Sequence, residues 1–193
     1  MERMINMLRN SSTTNKINEL VFTGLLMCLV TVATMFFRIP IPFTQGYVHL
    51  GDSMIFLSIL ILGRRNGTIA AGVGSALGDI LGGYAFWAPW TLVIKGLMAF
   101  IMGTFIEAME KRGKISPEKA VSAMEIVAMV LAGMEMVAGY YVASGFMYGN
   151  WTVGILSIPW NVGQFVVGMI IAVVLSHALS KTPVKKYFTA KSK

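Results

Sequence analysis

Six apolar runs of helical length follow one another along the chain, near residues 18–37, 51–63, 67–86, 90–109, 119–143 and 158–180, separated by short segments rich in Pro, Gly and charge. A helix needs ~20 apolar residues to cross a bilayer. Six such runs fill a chain of 193 residues, so the pattern predicts an all-α, polytopic membrane protein with about six transmembrane helices. One membrane domain is expected over 1–193: an N-terminal segment at 1–17, a six-helix core at 18–180 and a basic tail at 181–193. With 55% hydrophobic and 13% charged residues, the chain is too apolar for an ordinary soluble domain. The second run is short and reaches spanning length only if it starts near Gln45 or is shielded by its neighbours. The first run is too long for a signal-peptide core and has no convincing cleavage site, so it reads as the first span.

The net charge of +7 raises nucleic acid as a partner, because phosphate attracts Lys and Arg. The distribution excludes it: the basic residues lie in inter-helix segments, with no basic helix or aromatic-interleaved patch to track a polynucleotide. They also fall on one side. Arg3, Arg9, Lys16, Arg64, Arg65, Lys111, Arg112, Lys114, Lys119 and the tail residues Lys181, Lys185, Lys186, Lys191 and Lys193 alternate with connections where only Arg38 is basic. Positively charged loops stay in the cytoplasm, which places both termini there and requires an even number of spans. The outer connections are then 39–50, 84–90 and 144–157, where Pro40, Pro42, Trp90 and Trp151 suit a membrane interface.

Ionisable side chains inside spans are expensive and therefore candidates for function. Asp79, Lys95 and Glu135 all fall in the outer halves of their helices. Pro159 is placed to start the last helix, which puts Asn161 and Gln164 on one face of its first turns. Arg38, His49 and Asp52 flank the first outer loop and reach the same layer from above. Tyr47, Trp87, Trp90, Tyr140, Tyr148 and Trp160 offer aromatic walls, and a planar polar heterocycle would suit such a pocket. A structural alternative is that Asp79, Lys95 and Glu135 only neutralise one another. Glu19, Glu107, Glu110 and Glu125 read as snorkelling or ion-paired groups at cytoplasmic helix ends. His49 suits a hydrogen-bonding or capping role better than metal ligation. No metal and no cofactor is called. Cys28, the single cysteine, reads as a small packing residue.

No phosphate-binding G-x-x-x-x-G-K-[ST] loop, nucleophile elbow or H-E-x-x-H pair occurs. The chain therefore needs another subunit for any ATP-driven work. Two rival readings are a small membrane enzyme acting on lipid head groups, motivated by buried acids near aromatics, and an oligomeric channel or scaffold, motivated by the glycine-rich third run.

The stretch His49, Leu50, Gly51 and Asp52, then Gly63, then the glycine-rich segment 72–84 with Gly78, Asp79, Gly82 and Tyr84, and residues 92–96 around Lys95 resemble the S component of energy-coupling factor (ECF) vitamin transporters. Within that group the chain is most similar to the riboflavin-type branch, which includes proteins for hydroxymethylpyrimidine and pyridoxine-like vitamins. The resemblance covers nearly the whole chain and is most specific between residues 46 and 103. It implies a non-enzymatic, vitamin-binding subunit in a bacterial-type cell membrane, with an outward pocket roofed by 39–50. Its partners would be a transmembrane coupling subunit and two ATPases, and the S component would topple in the membrane to release its vitamin. Gly24 and Cys28 stand where the family carries the small residues that contact the coupling subunit. In this reading Lys95, Glu135, Asn161 and Gln164 bond the solute ring and Tyr47, Trp87 and Tyr140 pack on it. Tyr47 and His49 close the roof, and Asp79 touches the solute or orients Lys95. Lys95→Ala is expected to weaken capture without unfolding the protein.

Overall fold

The computed structural model describes residues 2–41, 47–116 and 118–183, with side chains from Lys16 onward. Pro42 and the tail residues Lys185, Lys186, Lys191 and Lys193 lie outside the described residues, as do the side chains of Arg3 and Arg9. The described residues form five helical elements: α1 (Glu2–Phe36), α2 (Gly51–Leu81), α3 (Ala88–Lys111), α4 (Ala123–Tyr148) and α5 (Trp151–Ser180). Each contains a stretch long and apolar enough to cross a membrane. Between α1 and α2 the short strands β1 (Arg38–Pro40) and β2 (Tyr47–His49) pair antiparallel, with Ile39 opposite Val48.

The expected second and third runs are one element, α2, folded back on itself at Gly63. Gly63 has φ 74° and ψ −174°, a backbone region essentially confined to glycine. In a straight helix, residues eight apart stand about 12 Å apart. A Cβ at Gly67 would lie only 3.1 Å from the Cα of Ile59, so the chain reverses between them. The first arm, 51–62, is about 18 Å long, well short of the ~30 Å hydrocarbon core. Neighbours shield it: Ile55 and Phe56 are fully buried.

This reversal sets the direction of every later helix. The Thr31 hydroxyl donates to the Gly74 carbonyl at 2.9 Å, and a Cβ at Gly78 would lie 2.7 Å from Thr34, so α1 and the second arm of α2 run parallel. Gly72 faces Leu92 whereas Gly103 faces Arg64, which makes α3 antiparallel to that arm. Gly133 against Phe165 and Gly154 against Tyr141 make α4 and α5 antiparallel. The start of α1 and the end of α5 therefore share one end of the bundle. The six runs expected from the sequence become five helical elements.

Helix ends also move, for identifiable reasons. Helix α4 starts at a capping box: the Glu125 N–H donates to Ser122 Oγ at 3.4 Å and the Ser122 N–H donates to Glu125 Oε2 at 2.5 Å. Glu125, 1% exposed, is thus a cap and not a snorkelling acid. Helix α4 continues to Tyr148 and stops at Gly149, whose φ of 61° is the left-handed cap glycine supplies. Asn150 caps α5 through Oδ1, which accepts the Thr152 N–H at 2.9 Å. The expected outer loop 144–157 thereby shrinks to a tight turn, and Pro159 lies inside α5 instead of opening it.

Candidate functional site

The β1–β2 hairpin covers a small cavity where α2, α3, α4 and α5 converge. Its lining includes Tyr47 and His49 from the hairpin, Asp79 from α2, Trp87 and Thr91 at the start of α3, Tyr140 and Ser144 from α4, and Ser157, Asn161 and Gln164 from α5, with Ile41 above. The cavity volume is about 30 Å³, room for about one water. It lies at the Arg38 end of the bundle. Lys16, Arg64, Arg65, Lys111, Arg112 and Lys181 belong to the opposite end, so the charge rule puts the cavity outside.

Tyr47 closes the cavity with a specific bond. Its hydroxyl donates to Asp79 Oδ1 at 2.5 Å. Burial first and the Asp79 charge second push the phenol pKa well up, so Tyr47 stays a donor. Its ring lies 4.4 Å from that of Tyr84, and the Arg38 guanidinium stands 5.4 Å from both rings. Arg38 Nη1 also donates to the Gly82 carbonyl at 2.6 Å. A cation held over two aromatic faces and bonded to a helix end fixes the outer edge of the hairpin.

Beneath the cavity a buried ion pair anchors the other end of β2. Lys95 donates to Asp52 Oδ1, with both side chains fully buried. Gln164 Nε2 donates to the second oxygen, Asp52 Oδ2, at 2.9 Å, and Gln164 Oε1 accepts the His49 N–H at 2.8 Å. The chain Lys95, Asp52, Gln164, His49 thus ties α3, α2, α5 and β2 together. His49 Nδ1 accepts the Gly51 N–H at 3.0 Å, so the histidine caps α2, as a loop histidine is expected to do. Burial, reinforced by the Lys95 charge, pulls its pKa down to about 3, and the ring is neutral.

Of the residues picked from sequence, Tyr47, His49, Asp79, Trp87, Tyr140, Asn161 and Gln164 line this one cavity. Lys95 lies just below it, 5.3 Å from the Tyr140 ring centre, with its ammonium given to Asp52. Glu135 does not line the cavity; it is half-buried on α4 with Oε2 lacking a partner. Gly24 and Cys28 are both exposed on the outward face of α1, away from the cavity. Trp90 stacks on Phe146 outside the bundle, and Trp160 is 39% exposed. Asp52 is the residue whose role sequence reasoning missed. The signal was available: an acid at the start of a run too short to span needs a buried partner, and Lys95 at the matching depth supplies it.

Fold and site together define a polytopic helical membrane protein with a polar, aromatic-walled cavity roofed at its outer end. The chain belongs to the ECF-type riboflavin transporter S component family, whose model matches residues 14–181. It is a multi-pass membrane subunit of a transporter, not an enzyme, which sets aside the lipid-enzyme reading. It is 40% identical over 153 residues to an uncharacterized protein of Pyrococcus woesei, covering 79% of this chain and 95% of that one. It is 25% identical over 173 residues to the thiamine precursor transporter HmpT of Lactococcus lactis subsp. cremoris, covering 89% and 93%. In fold it is similar to the crystal structure of the S component for biotin from an ECF-type ABC transporter. The TM-score is 0.66 at 16% identity, with 91% of this chain and 97% of that chain covered.

Proposed function

We propose that this S component captures a small planar vitamin or vitamin precursor, of the hydroxymethylpyrimidine, pyridoxine or riboflavin kind, from the outer face and hands it to an ATP-driven coupling module. The observation that carries the reading is the convergence of seven sequence-picked polar and aromatic residues on one roofed outer cavity. Aromatic faces from Tyr47, Trp87 and Tyr140 suit a flat ring, and the Asn161 and Gln164 amides with Asp79 suit its polar edge. Ligand pockets usually reach ~300 Å³ or more. A ring therefore enters only after Tyr47 leaves Asp79 and the hairpin lifts, and closure follows as the bond reforms over or beside the solute. Lys95 acts from below, holding Asp52 and through it Gln164, instead of bonding the solute itself. Release inside requires the coupling subunit and two ATPases. The exposed small-residue face of α1 at Gly24 and Cys28 takes the coupling subunit, since small residues let helices approach closely in lipid.

The test is mass spectrometry of small molecules released by denaturing the purified protein. A stoichiometric pyrimidine, pyridine or flavin is the expected result. An empty protein that also fails to bind any of the three on addition overturns the proposal.

A further inference from the structure

Among the described residues, two that line the cavity carry a buried polar atom with no partner. Asp79 is 2% exposed and Trp87 is 6% exposed, and both residues line the cavity. Tyr47 takes Asp79 Oδ1, but Oδ2 is buried with no hydrogen bond, and so is the indole N–H of Trp87. The Thr91 hydroxyl accepts from Tyr140 at 3.2 Å and has its own proton to share with the Asp79 carboxylate, yet no bond of ordinary geometry reaches Oδ2. Buried polar groups are nearly always satisfied. One unmet acceptor and one unmet donor at the same cavity describe the complementary edge of a ligand.

The charges around them add a second constraint. Among the described residues, Asp79 is the only acid on the lining, and no cation there is free to meet an anion. Lys95 is committed to Asp52 beneath the floor, Arg38 sits outside over Tyr47 and Tyr84, and His49 spends Nδ1 on Gly51. A phosphate or carboxylate brought here would be desolvated beside a carboxylate with nothing to balance it.

Resting on the S-component reading above, we infer that Asp79 and Trp87 are the specificity-determining pair of the cavity. They select a ring edge that presents an exocyclic N–H donor to Asp79 beside a ring-nitrogen lone pair for Trp87, the reverse of the order an oxo ring presents, and they reject anionic forms of the same ring. Donor meets Asp79 Oδ2, acceptor meets the Trp87 N–H, and the aromatic faces favour a neutral or protonated ring. The selected solute is therefore the free amino-heterocycle and not its phosphate ester or a carboxylate-bearing vitamin.

Titration calorimetry on the purified full chain tests this with four probes: an aminopyrimidine bearing a hydroxymethyl group, its phosphate monoester, its oxo analogue with the amine replaced by a carbonyl, and biotin as a carboxylate vitamin. The amino form is expected to bind, with the other three weaker by about 100-fold or more, as for a site left with an unpaired buried group. Asp79→Asn, whose amide offers a donor, is expected to narrow the amino-to-oxo gap by about 10-fold or more. Trp87→Phe, which keeps the ring, is expected to weaken the amino form by about 10-fold. The wild-type probe series stands even if a variant fails to fold. Tight binding of the phosphate, biotin or oxo form overturns the inference while leaving solute capture intact. Binding of none of these, nor of pyridoxine or riboflavin, overturns capture and the inference together.

Discussion

Removing the Lys95 ammonium is the most demanding perturbation the structure offers. Lys95 and Asp52 are both fully buried and paired, and Asp52 spends its second oxygen on Gln164. A Lys95→Ala chain leaves a carboxylate in the bundle interior with one neutral donor to hold it. Breaking a buried pair from one side costs about 3–5 kcal/mol. At about 2–4 °C per kcal/mol for a chain of this size, the midpoint of thermal unfolding should fall by roughly 6–20 °C. Asp52→Leu alone should fall as far, because it strands the ammonium. The double variant Lys95→Met with Asp52→Leu removes both charges and leaves only Gln164 short of an acceptor, at about 1–3 kcal/mol. It should therefore be more stable than either single variant, a reversal of additivity that only a direct pair produces. Tryptophan fluorescence during heating in detergent reads all four proteins. Single variants within about 2 °C of the parent, or a double variant that loses the sum of the two, would refute the reasoning. From sequence alone Lys95→Ala is a folded protein that has lost its solute; the pairing moves the first effect to folding.

Three other outcomes follow from named contacts. His49 is held neutral in the fold at a pKa of about 3 against ~6.5 when unfolded, so its contribution is complete above about pH 6.5 and drains as pH falls towards 3. By pH 4 up to about 3 kcal/mol should be gone, and a His49→Asn chain should show a flatter melting temperature between pH 7 and 4; an unchanged slope would contradict the assignment. Gly63→Ala forces a Cβ onto φ 74°, ψ −174°, a strain of about 1–3 kcal/mol, and should lower the melting midpoint by several degrees, whereas an unchanged midpoint would mean the reversal does not need glycine. Tyr47→Phe removes the bond to Asp79 and should speed solute release by about 5–10-fold, read by stopped-flow quenching; an unchanged off-rate would show that Tyr47 is not the latch.

The membrane class and the outer layer of candidate residues were legible because each rests on a one-dimensional signal: run length, charge asymmetry and ionisable groups within apolar runs. The reversal in α2 was legible only as an anomaly, a run too short to span. A backbone conformation is not written in hydropathy, and Gly63 looks like any other glycine until its φ is known. Pro159 misled for a related reason. Proline is favoured at helix starts, but Asn150 provides a stronger start nine residues earlier and Ser157 hydrogen-bonds back to Gly154 at 2.7 Å, so the helix runs through. Charge partners were the least legible part. Lys95, Asp79 and Glu135 share a depth, but depth does not give the angle around a helix axis, and the angle decides that Lys95 meets Asp52 while Tyr47 meets Asp79.

The half-length first arm of α2 explains why stability and capture can be held by different groups in so small a volume. An arm that begins inside the bundle brings helix N–H groups and the acid Asp52 to a depth where water cannot serve them. His49 Nδ1 takes the Gly51 N–H and Leu50 takes the Ser53 N–H at 3.1 Å, while Lys95 and Gln164 take the carboxylate. Those partners are permanent, because releasing any of them strands a buried charge or donor. The two ends of β2 are consequently unequal. His49 is tied to that permanent scaffold through Gln164, whereas Tyr47 is tied to Asp79, which lines the cavity and keeps one oxygen without a partner. A solute donor arriving at Asp79 takes the oxygen that Tyr47 does not use and gains nothing by disturbing His49. The roof should then hinge near His49 and swing at Tyr47, opening the cavity without breaking the ion pair on which the bundle stands.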